Sequence, residues 1–281
     1  MNFSTNLRKN NGIDRVIRRK IDMDNNKISV VINTYNASQH LARVLDTVKD
    51  FDEIVVCDME STDDTREIAE RYGCKIVIFP KGDYQICEPA RQAAIDAASY
   101  KWILVVDADE LVTPQLKDYL YALTRQDDAP QGVYIPRRTK FMGRFMRCFY
   151  PDYQLRFFVK EGTVWPAIIH ADPIIQGRIE KLPKTDVNLA FVHLADDSIK
   201  SRVGKINQYT ENEIEKKRNR HYGLAALFYR PLVRFFRAYI QKGGFRDGRE
   251  GFICACYEGI YQFVAVSKIL ENRWCNRKNT D

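Results

Sequence analysis

The sequence predicts an α/β protein in which helices flank a mainly parallel β-sheet. Short apolar segments rich in Val and Ile alternate with segments whose apolar residues have helical spacing. The strand-like segments recur about every 25 residues, an alternation that is typical of βαβ units. With 281 residues the chain is long enough to bury a complete α/β core, and one domain with a helical appendage accounts for it most economically.

The elements of this alternation follow one another over the first half of the chain. The second helix is preceded by Ser61 and Thr62, which favour helix starts, and it ends at Gly73. The predicted strands are 28–32, 53–57, 75–79 and 102–106, and the predicted helices are 41–48, 65–72, 88–98 and one that follows Pro114.

Loops follow the four strands, at 33–36, 58–64, 81–83 and 107–110, and most of them carry short polar groups. Because parallel strands end at the same edge, such loops line the crevice where open α/β sheets bind ligands. Asp107 and Asp109 place two carboxylates one residue apart, which suits a divalent cation that carries phosphate oxygens. An ordinary polar strand end before a helix is the alternative, and the convergence of the loops argues against it.

Three segments of this edge carry a family resemblance. They are SVVINTYN at 29–36, IVVCD at 54–58 running into STDDT at 61–65, and Asp-Ala-Asp at 107–109. Together they resemble the inverting family 2 glycosyltransferases, which have the GT-A fold. Segments at 135–144, 150–156, 205–209 and 230–248 are similar to the subgroup that contains the lipopolysaccharide-core glucosyltransferases, so the resemblance covers roughly residues 27–270.

The resemblance implies a nucleotide-sugar site at the ends of the first strands. Thr34, Tyr35 and Asn36 line the nucleotide pocket, and Asp58 accepts a hydrogen bond from the uracil imide or a ribose hydroxyl. Arg91 is a candidate partner for the diphosphate, because a guanidinium fork suits phosphate oxygens. A surface arginine on the predicted helix is the alternative for Arg91.

The same resemblance implies a metal site beside this pocket. Asp107 faces the ribose and Asp109 binds Mn²⁺ or Mg²⁺, which bridges the diphosphate and neutralises charge as the sugar–phosphate bond breaks. His193 stands where the subgroup also has a histidine, and it is a candidate for completing the metal shell. Imidazole suits Mn²⁺ better than Mg²⁺. A histidine that only packs in the core or supports a ligand is the alternative.

An inverting transferase needs a base within hydrogen-bond reach of the acceptor hydroxyl, normally a carboxylate. Where the subgroup has Val-His-Glu, this chain has Ile169-His170-Ala171-Asp172, so the carboxylate comes one residue later. Asp172 is therefore one candidate base, and Asp152, in a segment that matches the subgroup well, is the other. Asp152 is also an ordinary turn residue after proline. His170 is the third candidate.

Charge is distributed unevenly along the chain. Residues 27–128 contain 11 Lys or Arg and 19 Asp or Glu, whereas residues 199–250 contain 13 and 5. In 229–240, arginines recur at three- and four-residue spacing among bulky apolar residues, which is typical of a helix at a membrane surface. The alternative is a helix that packs its aromatic face inward and leaves its arginines in water. Nucleic acid is disfavoured as a partner because no recognised binding module accompanies the basic region.

The sequence predicts neither a transmembrane span nor a secretory signal. The apolar stretch 252–270 is interrupted by Glu258, Gly259 and Lys268, and no apolar core follows the basic residues near the N-terminus. Seven cysteines, with no CxxC pair and no zinc-site spacing, indicate reduced thiols and a cytoplasmic setting.

The predicted organisation is a loosely ordered or accessory leader over 1–26, a GT-A catalytic domain over 27–198 and a basic amphipathic helical tail over 199–281. The catalytic domain divides into a nucleotide-sugar half, 27–128, and an acceptor half, 129–198. The function predicted is transfer of a hexose, with inversion, from a UDP-sugar, UDP-glucose favoured, to a glycolipid or lipopolysaccharide-core acceptor at the inner face of the cytoplasmic membrane. The alternatives are a nucleotidyltransferase, which would need a Gly-rich phosphate loop that 33–36 is not, and a non-catalytic membrane-surface protein.

Overall fold

The computed structural model describes residues 25–84, 87–167, 171–194, 198–217 and 222–278. The chain forms two compact units. The first comprises the residues up to Arg137 together with Asp152–Leu194, and the second comprises Arg138–Pro151 together with the residues from Ala195 onward. The predicted leader lies almost wholly outside the described residues, and the predicted domain boundaries at 128 and 198 stay predictions.

Ten strands are found in the part of the chain that the structure describes. In chain order they are β1 (Ile28–Thr34), β2 (Glu53–Asp58), β3 (Lys75–Ile78), β4 (Trp102–Asp107), β5 (Glu110–Leu111), β6 (Gly132–Phe141), β7 (Arg144–Phe145), β8 (Asp152–Val159), β9 (Ile179–Lys181) and β10 (Phe191–His193). The main sheet has the order β3-β2-β1-β4-β8-β6-β10-β5. Strands β1 to β4 pair in parallel, and β8 joins β4 antiparallel. This mixed, mostly parallel sheet confirms the predicted α/β class.

The helices of the first unit follow the strands as the sequence predicts. They are α1 (Ser38–Val48), α2 (Thr65–Arg71), α3 (Glu88–Ala97) and α4 (Pro114–Thr124). Strand β1 is buried along its whole length, because β2 and β4 flank it and apolar clusters form on both faces of the sheet. Helix α4 begins where Thr113 Oγ1 accepts a hydrogen bond from the backbone N–H of Leu116, with proline in the first helical position.

The second unit is mainly helical. Its helices are α5 (Ile199–Lys216), α6 (Ala226–Phe236) and α7 (Gly248–Lys278), with a π-helical turn over Arg237–Gln241 and a 3₁₀ turn over Gly244–Asp247. Strand β7 pairs with the end of β6, and Phe141, Met146, Cys148 and Cys254 form a small buried cluster.

One helix among the described residues, Gly244–Cys275, is long and apolar enough to cross a membrane, judged by length and composition. The sequence predicts no such span, because charged residues interrupt the apolar stretch. In the structure these charges have partners within the second unit. Glu258 accepts a hydrogen bond from Arg234, and Lys268 forms an ion pair with Glu211. Because the core helix of a soluble protein also meets these criteria, the helix is weak evidence for a membrane span.

Candidate active site

The polar residues predicted from the sequence lie where the parallel strands end. The strand register places Thr34 beside Asp58 and Asn33 beside Asp107, so the ends of β1, β2 and β4 are level with one another. This is the convergence that the strand pattern predicts, and it positions the charged groups described below at one edge of the sheet.

Asp58 is fully buried and has donors at both carboxylate oxygens. Thr34 Oγ1 donates to Asp58 Oδ1 over 2.9 Å, and the Ser61 hydroxyl donates to the same oxygen. The Ser61 backbone N–H donates to Oδ2 over 2.9 Å, and Arg66 Nε lies 3.1 Å from that oxygen. These contacts tie the end of β1 to the loop after β2. Recognition of uracil or ribose by Asp58 stays a prediction.

Tyr35 and Asn36 form the exposed part of this edge. The Tyr35 side chain is exposed, and the Lys81 ammonium lies 4.7 Å from the centre of its ring. Asn36 has a φ of 49°, in the left-handed region that Asn tolerates better than most residues, and its Oδ1 accepts a hydrogen bond from the Thr62 backbone over 2.8 Å. The turn therefore leaves the Tyr35 ring at the surface with the Lys81 ammonium over one of its faces.

Asp107 lies between two buried arginines. Arg91 Nη2 donates to Asp107 Oδ1 over 2.7 Å, and Arg156 Nη2 donates to Oδ2 over 2.8 Å. The Trp165 ring stacks on both guanidinium groups, with carbon-to-centroid distances of 5.0 Å and 5.5 Å. Burial alone would raise the pKa of Asp107, but the charges of Arg156 and Arg91 hold it well below its usual range. Arg91 is therefore not the surface arginine of the alternative interpretation.

Several buried nitrogen atoms around this cluster have no hydrogen-bond partner in the part of the chain that the structure describes. They are Nε and Nη1 of Arg91, Nε of Arg156 and the side-chain amide nitrogen of Asn33. Buried donors in proteins are nearly always paired, and guanidinium donors match phosphate oxygens well. The cluster therefore has unused donors of the kind that an anionic group would satisfy. Asn33 and Arg156 carry no predicted role, although both lie in segments that carry the family resemblance.

Asp109 and His193 lie close together where β5 pairs with β10. Strand β5 pairs with β10, the Leu194 backbone N–H donates to the Asp109 carbonyl oxygen over 2.7 Å, and His193 Nε2 lies 3.2 Å from Asp109 Oδ2. The Nδ1 atom of His193 is buried and has no partner among the described residues. No cluster of three or more His, Cys, Asp or Glu residues suited to a metal occurs in that part of the chain. One carboxylate and one imidazole fit Mn²⁺, provided that substrate and water supply the other ligands.

A second ion-pair group lies at the same edge and was not predicted. Glu110 is fully buried, and Arg137 Nη1 donates to its Oε1 over 3.0 Å. The same guanidinium donates to Asp152 Oδ2 from Nε and Nη2, over 2.9 Å and 2.7 Å. Burial and the nearby charge of Asp107 raise the pKa of Glu110, and the charges of Arg156 and Arg137 oppose this rise. Arg137 belongs to the segment 135–144, which carries the family resemblance, and that resemblance is the sequence feature that could have identified it as a site residue.

The candidate bases differ in their surroundings. Asp172 is exposed and accepts a hydrogen bond from the Tyr134 hydroxyl over 2.7 Å, which raises the pKa of Tyr134 to about 12. Asp152 has its Oδ2 occupied by Arg137, and Gln154 donates to its Oδ1 over 3.1 Å. The segment that contains Asp172 is held by an antiparallel bridge between Val164 and Ile174, next to Trp165. His170 lies outside the described residues.

The family model of glycosyl transferase family 2 matches residues 29–171, half of the chain, and these residues include Asp107, Asp109 and both arginines that flank Asp107. The chain therefore belongs to glycosyl transferase family 2.

Several relatives match nearly the whole chain. An uncharacterized glycosyltransferase of Rickettsia conorii is 29% identical over 268 residues, which cover 88% of this chain and 90% of the relative. The lipopolysaccharide core biosynthesis glycosyltransferase LpsC of Rhizobium meliloti is 26% identical over 268 residues, which cover 87% and 92%. Among solved structures, a mannosyltransferase from Pyrobaculum calidifontis in complex with GDP-Man and Mn²⁺ covers 87% of both chains with a TM-score of 0.52 and 14% identity, which supports the GT-A fold.

Proposed function

We propose that this glycosyltransferase moves a hexose from a UDP-sugar, UDP-glucose being favoured, to a saccharide or glycolipid acceptor of the lipopolysaccharide core, with inversion and with a divalent metal. One observation carries the proposal. A buried pair of arginines and an Asp109–His193 pair stand at the same sheet edge, beside an exposed aromatic residue at the end of β1. A nucleoside diphosphate presents an aromatic base and two phosphates, which are the groups that such an edge can bind.

The donor would be held by three kinds of contact. Tyr35 offers an aromatic face to the base, with Thr34, Asn36 and Asp58 forming the turn behind it. The unpaired nitrogens of Arg91 and Arg156 offer donors to the diphosphate. Asp107 orients both arginines through its two carboxylate oxygens, so its role in the proposal is to position the guanidinium groups as well as to face the ribose.

The metal would be held by Asp109 and His193, and it would neutralise the charge that develops on the departing diphosphate. The imidazole ligand favours Mn²⁺ over Mg²⁺. The solved mannosyltransferase contains Mn²⁺ with a nucleotide sugar, which agrees with this choice, although it is similar to this chain in fold only.

In this proposal Asp172 accepts the proton of the acceptor hydroxyl. It is exposed and accepts a hydrogen bond from the Tyr134 hydroxyl, whereas Asp152 is engaged by the Arg137 guanidinium. In the proposed reaction Asp172 takes the proton, the acceptor oxygen bonds to the anomeric carbon, and the bond from that carbon to the diphosphate breaks. Because attack comes from the side opposite the leaving group, the anomeric configuration inverts.

The acceptor class is proposed from the relative whose name is lipopolysaccharide core biosynthesis glycosyltransferase, to which this chain is similar over nearly its full length. Such an acceptor is lipid-linked, so we place the enzyme at the inner face of the cytoplasmic membrane. Membership of the family favours glycosyl transfer over nucleotidyl transfer and over a purely membrane-binding role.

The first experiment is calorimetric titration of UDP into the purified chain, with and without Mn²⁺. The parent is expected to bind UDP in a metal-dependent manner, and Asp109→Ala is expected to lose that dependence because it removes the carboxylate ligand. Asp118→Ala, which removes an exposed carboxylate on α4, is the matched control and is expected to bind like the parent. Absence of UDP binding in the parent under both conditions would remove the main support for a UDP-sugar donor, and GDP and the other nucleoside diphosphates would then be titrated in the same way.

A further inference from the structure

The outer face of α6 and of the π-helical turn after it is apolar. Six large side chains on this face are each 52–74% exposed; they are Phe228, Tyr229, Leu232, Val233, Phe236 and Ile240. They recur at spacings of one, three and four residues, so they lie on one side of the helix. Exposed apolar patches of this kind mark interaction sites. We name these six residues the apolar face.

The arginines of α6 lie on the other side of the helix. Arg230 stacks on the Tyr222 ring, with 4.8 Å between the guanidinium carbon and the ring centre, and Arg234 Nε donates to Glu258 of α7 over 2.9 Å. A helix at a water-exposed surface would show the reverse arrangement, with arginine outward and aromatic residues inward. The polarity of α6 therefore indicates an apolar environment outside it.

Basic residues border one end of the apolar face. Arg237 lies between Phe236 and Ile240 in the chain, Lys242 and Arg246 follow Ile240, and all three are exposed. The only acidic residue in 226–249 is Asp247, which is buried and accepts a hydrogen bond from the Cys148 backbone over 3.0 Å. The border is therefore positively charged, and no exposed carboxylate of this segment offsets it.

We infer that the apolar face docks into the interfacial layer of an anionic lipid bilayer, with Arg237, Lys242 and Arg246 at the headgroups, a location that builds on the glycolipid acceptor proposed above. Bulky apolar and aromatic side chains enter the boundary between headgroups and acyl chains, and basic side chains pair with anionic headgroups. A second copy of the chain is the other occupant that an apolar face admits. In a symmetric pairing each copy would offer the same basic border and no exposed carboxylate of 226–249, whereas an anionic bilayer supplies the opposite charge, so charge complementarity favours the anionic lipid.

The test is co-sedimentation of the full-length protein with vesicles of phosphatidylcholine, alone or mixed with phosphatidylglycerol. The parent is expected to bind the mixed vesicles and to bind pure phosphatidylcholine weakly. Phe228→Ser/Leu232→Ser is expected to lower the vesicle partition coefficient at least about tenfold, because two apolar side chains no longer enter the lipid. Arg237→Gln/Lys242→Gln is expected to lower it about fivefold per residue on the anionic vesicles only. Ile78→Ser/Val187→Ser, which changes two exposed apolar residues of the first unit, is the matched control and is expected to bind like the parent.

Several outcomes would overturn the inference. These are failure of the parent to bind anionic vesicles, equal binding by the Phe228→Ser/Leu232→Ser and control variants, or a parent dimer in light scattering that Phe228→Ser/Leu232→Ser dissociates. Calorimetric titration of UDP with Mn²⁺ is run on the same preparations and is expected to be unchanged by the apolar-face substitutions. Loss of UDP binding in every preparation would count against the proposed function and leave the vesicle result to stand alone.

Discussion

The substitution Asp107→Asn tests the role of Asp107 as the partner of two arginines. We expect it to lower the stability of the fold, whereas a substitution of Asp109 is expected to affect metal binding. In the parent, one guanidinium donates to each Asp107 oxygen, at 2.7 Å and 2.8 Å, and both arginines are buried. Asparagine keeps the shape of the side chain and removes its negative charge. Arg91 and Arg156 are then left close together without this counter-charge, and one of the two hydrogen bonds faces an amide N–H₂ group instead of an oxygen.

The size of the effect follows from the geometry. Unit charges about 4 Å apart interact by about 4 kcal/mol at an effective dielectric constant of about 20, and removing one partner of a buried ion pair costs about 3–5 kcal/mol. Because the Asp107 side chain is 24% exposed, water offsets part of this cost. We expect Asp107→Asn to lower the unfolding free energy by about 3 kcal/mol at neutral pH.

The same pair sets a pH dependence. The pKa of Asp107 is lowered in the folded protein, so the ionised carboxylate stabilises the fold at pH values above its unfolded pKa of about 4. This contribution is lost as the pH falls from that value toward the lower pKa of the folded state. The stability difference between the parent and Asp107→Asn should therefore be full at neutral pH and shrink in acid.

Urea unfolding followed by tryptophan fluorescence measures these differences, and Trp165 reports directly because it stacks on both arginines. Asp109→Asn is the matched comparison, since the Asp109 side chain is 35% exposed and pairs with one histidine. It is expected to stay within about 1 kcal/mol of the parent while losing metal-dependent UDP binding. A loss of less than about 1 kcal/mol for Asp107→Asn would refute the assigned pairing role, as would additive effects in a double-mutant cycle with Arg156→Gln.

Three further predictions concern the neighbouring groups. Arg137→Met is expected to lower the unfolding free energy by about 3 kcal/mol in urea titrations, because it leaves buried Glu110 without its guanidinium partner. The double variant with Glu110→Gln should recover most of this loss. Equal losses in the single and double variants would contradict the prediction. Asp172→Asn is expected to lower kcat by about a hundredfold or more with little change in KM, measured as UDP release with core saccharides as acceptor, and a larger effect of Asp152→Asn would instead assign the base to Asp152. Chelation of divalent metal should weaken UDP binding, and Mn²⁺ should restore it better than Mg²⁺; equal restoration would argue against a His193 ligand.

The fold could be predicted because its signals are local. The apolar runs that form β1, β2 and β4 are buried on both faces, so each reads as a continuous hydrophobic segment. The strand alternation predicts Thr34, Asp58 and Asp107 at one edge of the sheet, where the strand register places them. The antiparallel part was harder to predict, because short strands such as β5 and β10 have only two and three residues.

Partner choice within the site could not be predicted from spacing. Asp107 and Asp109 look equivalent in the sequence, yet Asp107 is bound by Arg156 from β8, 49 positions away, and Asp109 by His193 from β10. Helical periodicity likewise predicts an apolar side and an arginine-bearing side for α6, but it does not indicate which side packs against α7. The contact between Arg234 and Glu258 shows that the arginine-bearing side packs against α7. The sequence around Arg234 does not indicate that its partner lies on another helix.

Three acidic residues within four positions have three different environments, and these environments suggest different roles for them. Asp107 is neutralised by two arginines, Glu110 is fully buried with Arg137, and Asp109 keeps partial exposure beside a histidine. A divalent metal needs an ionised carboxylate that a substrate can reach, and of the three only Asp109 is free of a guanidinium contact in the part of the chain that the structure describes. The other two carboxylates pair with arginines, Asp107 with Arg91 and Arg156 and Glu110 with Arg137. A substitution at Asp107 or Glu110 should therefore act on Arg91, Arg156 or Arg137 and on stability, whereas a substitution at Asp109 should act on the metal.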